Sequence, residues 1–216
     1  MLHIDGPRLK PASGKPATSL VVLLHGYGAD GNDLIDLARA WAPHMPGTAF
    51  ASPHAPEPCA DAPGGRQWFP LSLSDLHLLW PGVQRAAPGL NAFLDEELAR
   101  LGLAERSLAL VGFSQGAMLA LHVGPRRPMP PAGIIGYSGY LVGTDHLAEA
   151  PQRPPVLLVH GEDDMTVPVL ALHAAAPALG SAGFPVEWHV RPGVGHGIDM
   201  EGLRLGADFL LRVLKD

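Results

Sequence analysis

The chain of 216 residues has a single cysteine, Cys59. An internal disulfide and a cysteine-based zinc site are thereby excluded, and Cys59 reads as an incidental loop residue rather than a nucleophile. Long runs of one charge are also lacking: the longest basic cluster is Arg126-Arg127, in a chain of formal net charge −6. That argues against nucleic acid and an anionic membrane surface as main partners. No stretch approaches the roughly 18 apolar residues of a membrane span, so no stable membrane insertion is expected. The first residues, Met1-Leu-His-Ile-Asp-Gly-Pro7, lack an apolar core of the secretory type, which predicts no signal peptide and a cytoplasmic location. No His-Glu-x-x-His or other close-spaced ligand set appears, so no metal is expected. Charged residues make up only 17%, against 47% hydrophobic. This balance excludes disorder and supplies one domain, residues 1–216, with a real core.

What is present is an alternation of short apolar runs and helical patterns. Strands are predicted at Leu20–Leu24, Thr48–Ala51, Ser107–Val111, Gly133–Tyr137, Val156–His160 and Val186–Arg191. Helices are predicted at Asn32–Trp41, Leu90–Leu101, Gln115–Val123, Leu170–Leu179 and Glu201–Leu214. The alternation implies an α/β fold whose mostly parallel sheet is covered by helices on both faces. Residues 1–16, with Pro7, Pro11 and Pro16, read as an edge strand or strap. Residues 53–89 break the rhythm: they are rich in Pro and Gly, yet carry Trp68, Phe69, Leu71, Leu73, Leu76, Leu78, Leu79 and Trp80. A long connection with apolar side chains suggests a lid or acyl-binding wall. The bland reading is that these leucines only cover the sheet edge.

Residues 112–116, Gly-Phe-Ser-Gln-Gly, fit G-x-S-x-G between a strand pattern and a helix pattern. A serine on a tight strand-to-helix turn is the nucleophile elbow of α/β-hydrolases. It would present Ser114 at a helix N-terminus, where free N–H groups and partial positive charge suit an oxyanion. A serine hydroxyl needs a histidine base, and the histidine needs a carboxylate. The required chain order is Ser, acid, His. The run Pro155–His160 feeds Gly161-Glu-Asp-Asp-Met165, which offers Glu162, Asp163 and Asp164. Spacing alone leaves all three open. The histidines that follow are His173 in a helical pattern, His189 in a strand pattern and His196 in a glycine-flanked loop. His196 is where a base belongs. The oxyanion donors expected are the backbone N–H of Gln115 and that of Tyr27, in the loop His25-Gly-Tyr-Gly-Ala-Asp30 after the first long strand.

These pieces resemble the phospholipase/carboxylesterase family of small α/β-hydrolases, which includes acyl-protein thioesterases. The matching residues are Leu24-His-Gly-Tyr-Gly-Ala-Asp30, Gly112-Phe-Ser-Gln-Gly-Ala117, His160–Pro168, Gly195-His-Gly197 and Gly64-Gly-Arg-Gln-Trp-Phe69. The resemblance implies a single α/β-hydrolase domain with a short lid and no separate cap domain. It also implies hydrolysis of carboxylic esters or thioesters, lysophospholipids included, with no cofactor. It carries the acid role to Asp164, three residues before a Val-Pro pair. Trp68, Phe69 and Leu71 are expected to border the acyl pocket. The partner is a small-molecule acyl ester, and the leucines of 71–79 would either fold over the site or bury against a second copy. The stretch Pro70–Trp80 departs from any pattern that fixes acyl preference.

Two other classes compete. Gly26-Tyr-Gly-Ala-Asp-Gly31 fits the G-x-G-x-x-G fingerprint of a nicotinamide-dinucleotide-binding oxidoreductase. Against it, Asp30 would put a carboxylate beside the pyrophosphate. It also leaves Ser114, Asp164 and His196 unexplained. A non-catalytic hydrolase fold that only binds ligand is the third class, and an intact triad argues against it.

Overall fold

Each apolar run is too short for a helix and is flanked by turn residues, so it extends into a strand, buried on both sides everywhere except at the half-exposed edge Val186–Arg191. A computed structural model describes residues 4–72 and 75–214. Leu73, expected in the lid, and Met1–His3 of the N-terminal strap lie outside the described residues. In chain order the strands are Arg8–Leu9 (β1), Ser19–Leu24 (β2), Thr48–Ala51 (β3), Glu57–Pro58 (β4), Arg66–Gln67 (β5), Leu108–Phe113 (β6), Gly133–Tyr137 (β7), Val156–Gly161 (β8) and Val186–Arg191 (β9). The helices are Gly31–Trp41 (α1), Leu79–Leu101 (α2), Gln115–Val123 (α3), Leu170–Ser181 (α4) and Met200–Val213 (α5).

Seven strands form one sheet in the order β1-β3-β2-β6-β7-β8-β9, while β4 and β5 pair separately. Only β1 runs antiparallel to its neighbour in the large sheet; it is the expected edge strand. The period-two alternation of side chains splits the core into two layers. Leu20, Val22 and Leu24 face α2, α3 and α4. Val21 and Leu23 face Leu34, Ile35 and Trp41 of α1 and Phe209 and Leu210 of α5. The chain winds outward from β2 to β3 and then crosses back to β6. That reversal opens a crevice at the C-terminal ends of β2 and β6, where Leu24 pairs with Gly112.

The helix predicted to begin at Leu90 begins at Leu79 instead. The end of the expected loop, residues 79–89, is therefore helical. Pro81 falls in the first turn, where its missing N–H costs nothing. Gly82 has no side chain because the Phe69 ring lies against its α-carbon.

Candidate active site

The turn between β6 and α3 is made possible by close backbone approaches. A Cβ at Gly112 would meet the Gly116 carbonyl, and one at Gly116 would meet the Leu24 carbonyl. Between them Ser114 adopts φ 53° and ψ −114°, a conformation that L-residues rarely hold without support from their surroundings. Its N–H is fixed to the Tyr137 carbonyl at 2.8 Å. A serine before a helix usually caps it with its hydroxyl. Here the strained backbone prevents this, and α3 has no side-chain cap. The hydroxyl is left for other chemistry.

The acid loop follows β8. Burial separates the three candidates: Glu162 and Asp163 are exposed, whereas Asp164 is buried. Its Oδ1 accepts from the N–H groups of Thr166 at 2.9 Å and Val167 at 2.8 Å. Its Oδ2 lies 2.7 Å from Nδ1 of His196. Burial pushes the Asp164 pKa up, but the hydrogen bonds from His196, Val167 and Thr166 outweigh it, and the net is below the ordinary carboxylate range. His160 braces the same loop by donating from Nε2 to the Val167 carbonyl at 2.7 Å.

A carboxylate can only accept, so His196 carries its proton on Nδ1 and keeps a lone pair on Nε2. The ring packs against Phe113, the residue before Ser114, at 4.9 Å between centroids. The acid and histidine loops are locked together, since the Asp163 N–H donates to the Val194 carbonyl at 2.9 Å. His173 and His189 do not join this group. His173 meets the Trp188 ring edge-on at 5.7 Å.

The loop after β2 reaches the elbow from the other side. A Cβ at Gly26 would come within 3.4 Å of the Ser114 Cβ. Among the described residues, neither the Tyr27 N–H nor the Gln115 N–H has a hydrogen-bond acceptor. The Tyr27 hydroxyl donates to Asp61 at 2.7 Å.

Of the residues expected to border the acyl pocket, Trp68 and Phe69 are buried, and Trp68 also lines a cavity of about 240 Å³ beside Pro56, Arg85 and Gly89. Their job is set by backbone groups that need partners. The Trp68 N–H donates to Gln115 Oε1 at 2.9 Å, and Gln115 Nε2 donates to the Phe69 carbonyl at 2.7 Å. The Trp68 indole N–H donates to the His25 carbonyl at 2.9 Å. Leu71 is half-buried and packs on the core. A second cavity, of about 390 Å³, lies between the start of α2 and residues 140–146, lined by Leu76, Leu79, Trp80, Tyr140, Val142 and His146. Its wall includes Tyr140, next in the chain to Gly139, and a Cβ at Gly139 would meet the Ser114 carbonyl. Trp80 stacks on His146 at 4.2 Å, with the Arg126 guanidinium 5.5 Å from its ring. Leu76, Leu79 and Trp80 belong to the segment read from the sequence as a lid or acyl-binding wall; residues 140–146 were not anticipated, since nothing in the pattern ties them to residues 76–80.

The dinucleotide reading meets a physical obstacle. The N-terminus of α1, where a pyrophosphate would sit, is occupied by the Asp30 carboxylate, which accepts from the Asn32 N–H at 2.7 Å.

A mostly parallel sheet with a strained serine elbow after β6 defines an α/β-hydrolase. The family model described as Phospholipase/Carboxylesterase matches residues 11–214, and the chain belongs to that family. It is 28% identical to the esterase YpfH of Escherichia coli over 91% of this chain and 83% of that one. It is equally 28% identical to an acyl-protein thioesterase 1 of Gibberella zeae, over 96% and 95% of the two chains. The crystal structure of esterase PE8 superposes with a TM-score of 0.95 at 43% identity, covering 98% of this chain and 100% of the other. The chain is an enzyme of this hydrolase class. Among the described residues no helix is long and apolar enough to cross a membrane.

Proposed function

We propose that the protein hydrolyses carboxylic esters through an acyl-enzyme on Ser114, with His196 as base and Asp164 as its partner. The observation that carries this reading is the fixed tautomer of His196: Nδ1 is held by buried Asp164 at 2.7 Å, so Nε2 is the basic atom. His196 takes the Ser114 proton as the hydroxyl attacks the acyl carbonyl. The N–H groups of Tyr27 and Gln115 stabilise the resulting oxyanion. His196 then protonates the departing alcohol or thiol. Water, deprotonated by His196, attacks the acyl-enzyme, and collapse of the second tetrahedral adduct releases the acid and Ser114. The acyl chain occupies the cavity of about 390 Å³ beside Gly139, with Leu76, Leu79, Trp80 and Tyr140 as its walls. That volume lies at the small end for ligand sites, which favours short and medium acyl chains over palmitoyl.

The test is hydrolysis of p-nitrophenyl esters of increasing acyl length by the wild type and Ser114→Ala. Ser114→Ala should lower kcat by about five to six orders of magnitude. A loss of only about tenfold would remove Ser114 as nucleophile. In the wild type, kcat/KM should fall beyond medium chain length; a preference for palmitoyl would move the acyl chain out of this cavity. The matching thioester, run alongside, reports the leaving group.

A further inference from the structure

Behind the loop that faces Ser114 sits a histidine with no exposed surface, His25. Both of its ring nitrogens engage backbone groups. Nδ1 lies 2.7 Å from the Gly26 carbonyl, and Nε2 lies 3.0 Å from the Ala55 N–H. A carbonyl only accepts, so Nδ1 carries the proton. A backbone N–H only donates, so Nε2 carries the lone pair. The ring is therefore neutral and held in one tautomer. Burial lowers its pKa to about 4, against a smaller upward pull from the Gly26 carbonyl.

The Gly26 carbonyl belongs to the same peptide unit as the Tyr27 N–H. That unit is planar and trans, so its C=O and N–H point in opposite directions. Whatever holds the carbonyl aims the N–H. The loop meanwhile lies against the nucleophile, with a Cβ at Gly26 coming within 3.4 Å of the Ser114 Cβ. His25 is also linked to the second donor. Its own carbonyl accepts from the Trp68 indole at 2.9 Å, and the Trp68 N–H donates to Gln115 Oε1 at 2.9 Å. A buried chain, His25–Trp68–Gln115, thus links the peptide unit next to the first donor with the side chain of the residue that supplies the second.

We propose that His25 is a positioning residue for the oxyanion hole: its Nδ1–H holds the Gly26 carbonyl and thereby directs the Tyr27 N–H at the oxyanion. The proposal rests on the serine-hydrolase reading of Ser114, Asp164 and His196. Its energetic logic is that a donor fixed in advance costs no reorganisation as charge develops. Loosening that donor raises the barrier to the tetrahedral adduct and leaves ground-state ester binding nearly untouched.

Two amide variants separate this role from plain core filling. Asparagine places its Nδ2 where the histidine Nδ1 stands, and so keeps a donor for the Gly26 carbonyl. Glutamine reaches the Nε2 position, faces Ala55 and leaves that carbonyl only the longer bond from the Ala29 N–H at 3.3 Å. His25→Gln should lower kcat roughly tenfold to a hundredfold with KM within about threefold, and should weaken inhibition by phenylboronic acid, a tetrahedral adduct former, by a similar factor. His25→Asn should restore most of the loss. Equal kcat and equal boronic-acid affinity in His25→Gln and wild type would overturn the proposal. So would equal losses in the two folded variants, because a purely structural role does not distinguish the donor position. A wild type that neither hydrolyses esters nor binds the boronic acid would instead overturn the hydrolase reading itself. Should neither variant fold, ¹⁵N spectra of the wild-type imidazoles decide the matter: a neutral Nδ1–H ring for His25 is expected, and an Nε2–H ring would refute the proposal.

Discussion

Glu162, Asp163 and Asp164 are consecutive acids, and only their surroundings distinguish them. Asp164 alone is buried and receives three hydrogen bonds, from His196, Val167 and Thr166. Its carboxylate titrates below the ordinary range, so it stays charged wherever a histidine base works. In the proposed mechanism, Asp164→Asn removes the charge that stabilises the imidazolium and permits the wrong tautomer. It should lower kcat by about four orders of magnitude. Asp163→Asn should leave kcat within about threefold, because the exposed side chain has no partner in the site. The reverse ranking, measured on the same ester, would reassign the acid. Spacing left these three residues equivalent; the family pattern pointed to Asp164. The physical reason is legible only in three dimensions, where the Thr166 and Val167 N–H groups turn back onto one carboxylate. Ser138, with φ of 48° directly after β7, gave no sign in the sequence at all. A lone serine after a strand has no pattern that announces a strained backbone.

The elements were more legible than their joints. β2, β6, β7 and β8 were readable because a strand buried on both faces needs an unbroken apolar run, and such runs are rare elsewhere. The start of α2 was not readable: Pro81, Gly82, Pro88 and Gly89 are breakers by propensity. Tertiary contacts override them. Gly82 is required by the Phe69 ring, and Trp80 in the first turn is clasped by His146, Arg126 and the α-carbon of Gly143. This clasp connects the start of α2 to the strap that follows β7, and it forms one wall of the cavity. Trp80→Ala should therefore act twice. Loss of the stacked ring and of half-buried apolar area should lower stability by about 1–3 kcal/mol in urea unfolding. The larger cavity should shift the acyl-length optimum of p-nitrophenyl esters toward longer chains. An unchanged length profile in a measurably destabilised variant would leave Trp80 as a helix anchor only and move the acyl chain away from this wall.

Across the whole molecule the buried histidines set the response to acid. Of the described residues, His25, His122 and His160 are buried. Burial lowers the pKa of His25 and of His122 to about 4, in His122 with further repulsion from Arg126. His160 is lowered as well, by burial above all. In the unfolded chain each histidine takes up a proton near ~6.5. Between that value and about 4, the unfolded state thus binds more protons than the native state, and stability falls as pH falls. Each such ring contributes up to about 1.4 kcal/mol per pH unit. Below pH ~6 the unfolding free energy should therefore drop by roughly 2–3 kcal/mol per unit from His25 and His122 together. The decline should level off once the native rings also take up protons. His122→Phe keeps an aromatic ring against Trp80, whose centroid is 5.2 Å away. It removes a ring nitrogen, Nδ1, that is buried without a hydrogen-bond partner among the described residues. The variant should be less acid-sensitive by about one proton and no less stable at pH 7. Urea unfolding of both proteins at pH 7, 6 and 5 measures this directly. A wild-type stability that does not change over that range would mean that the rings take up protons in the native state. The buried hydrogen-bond scheme around His25 would then have to be redrawn.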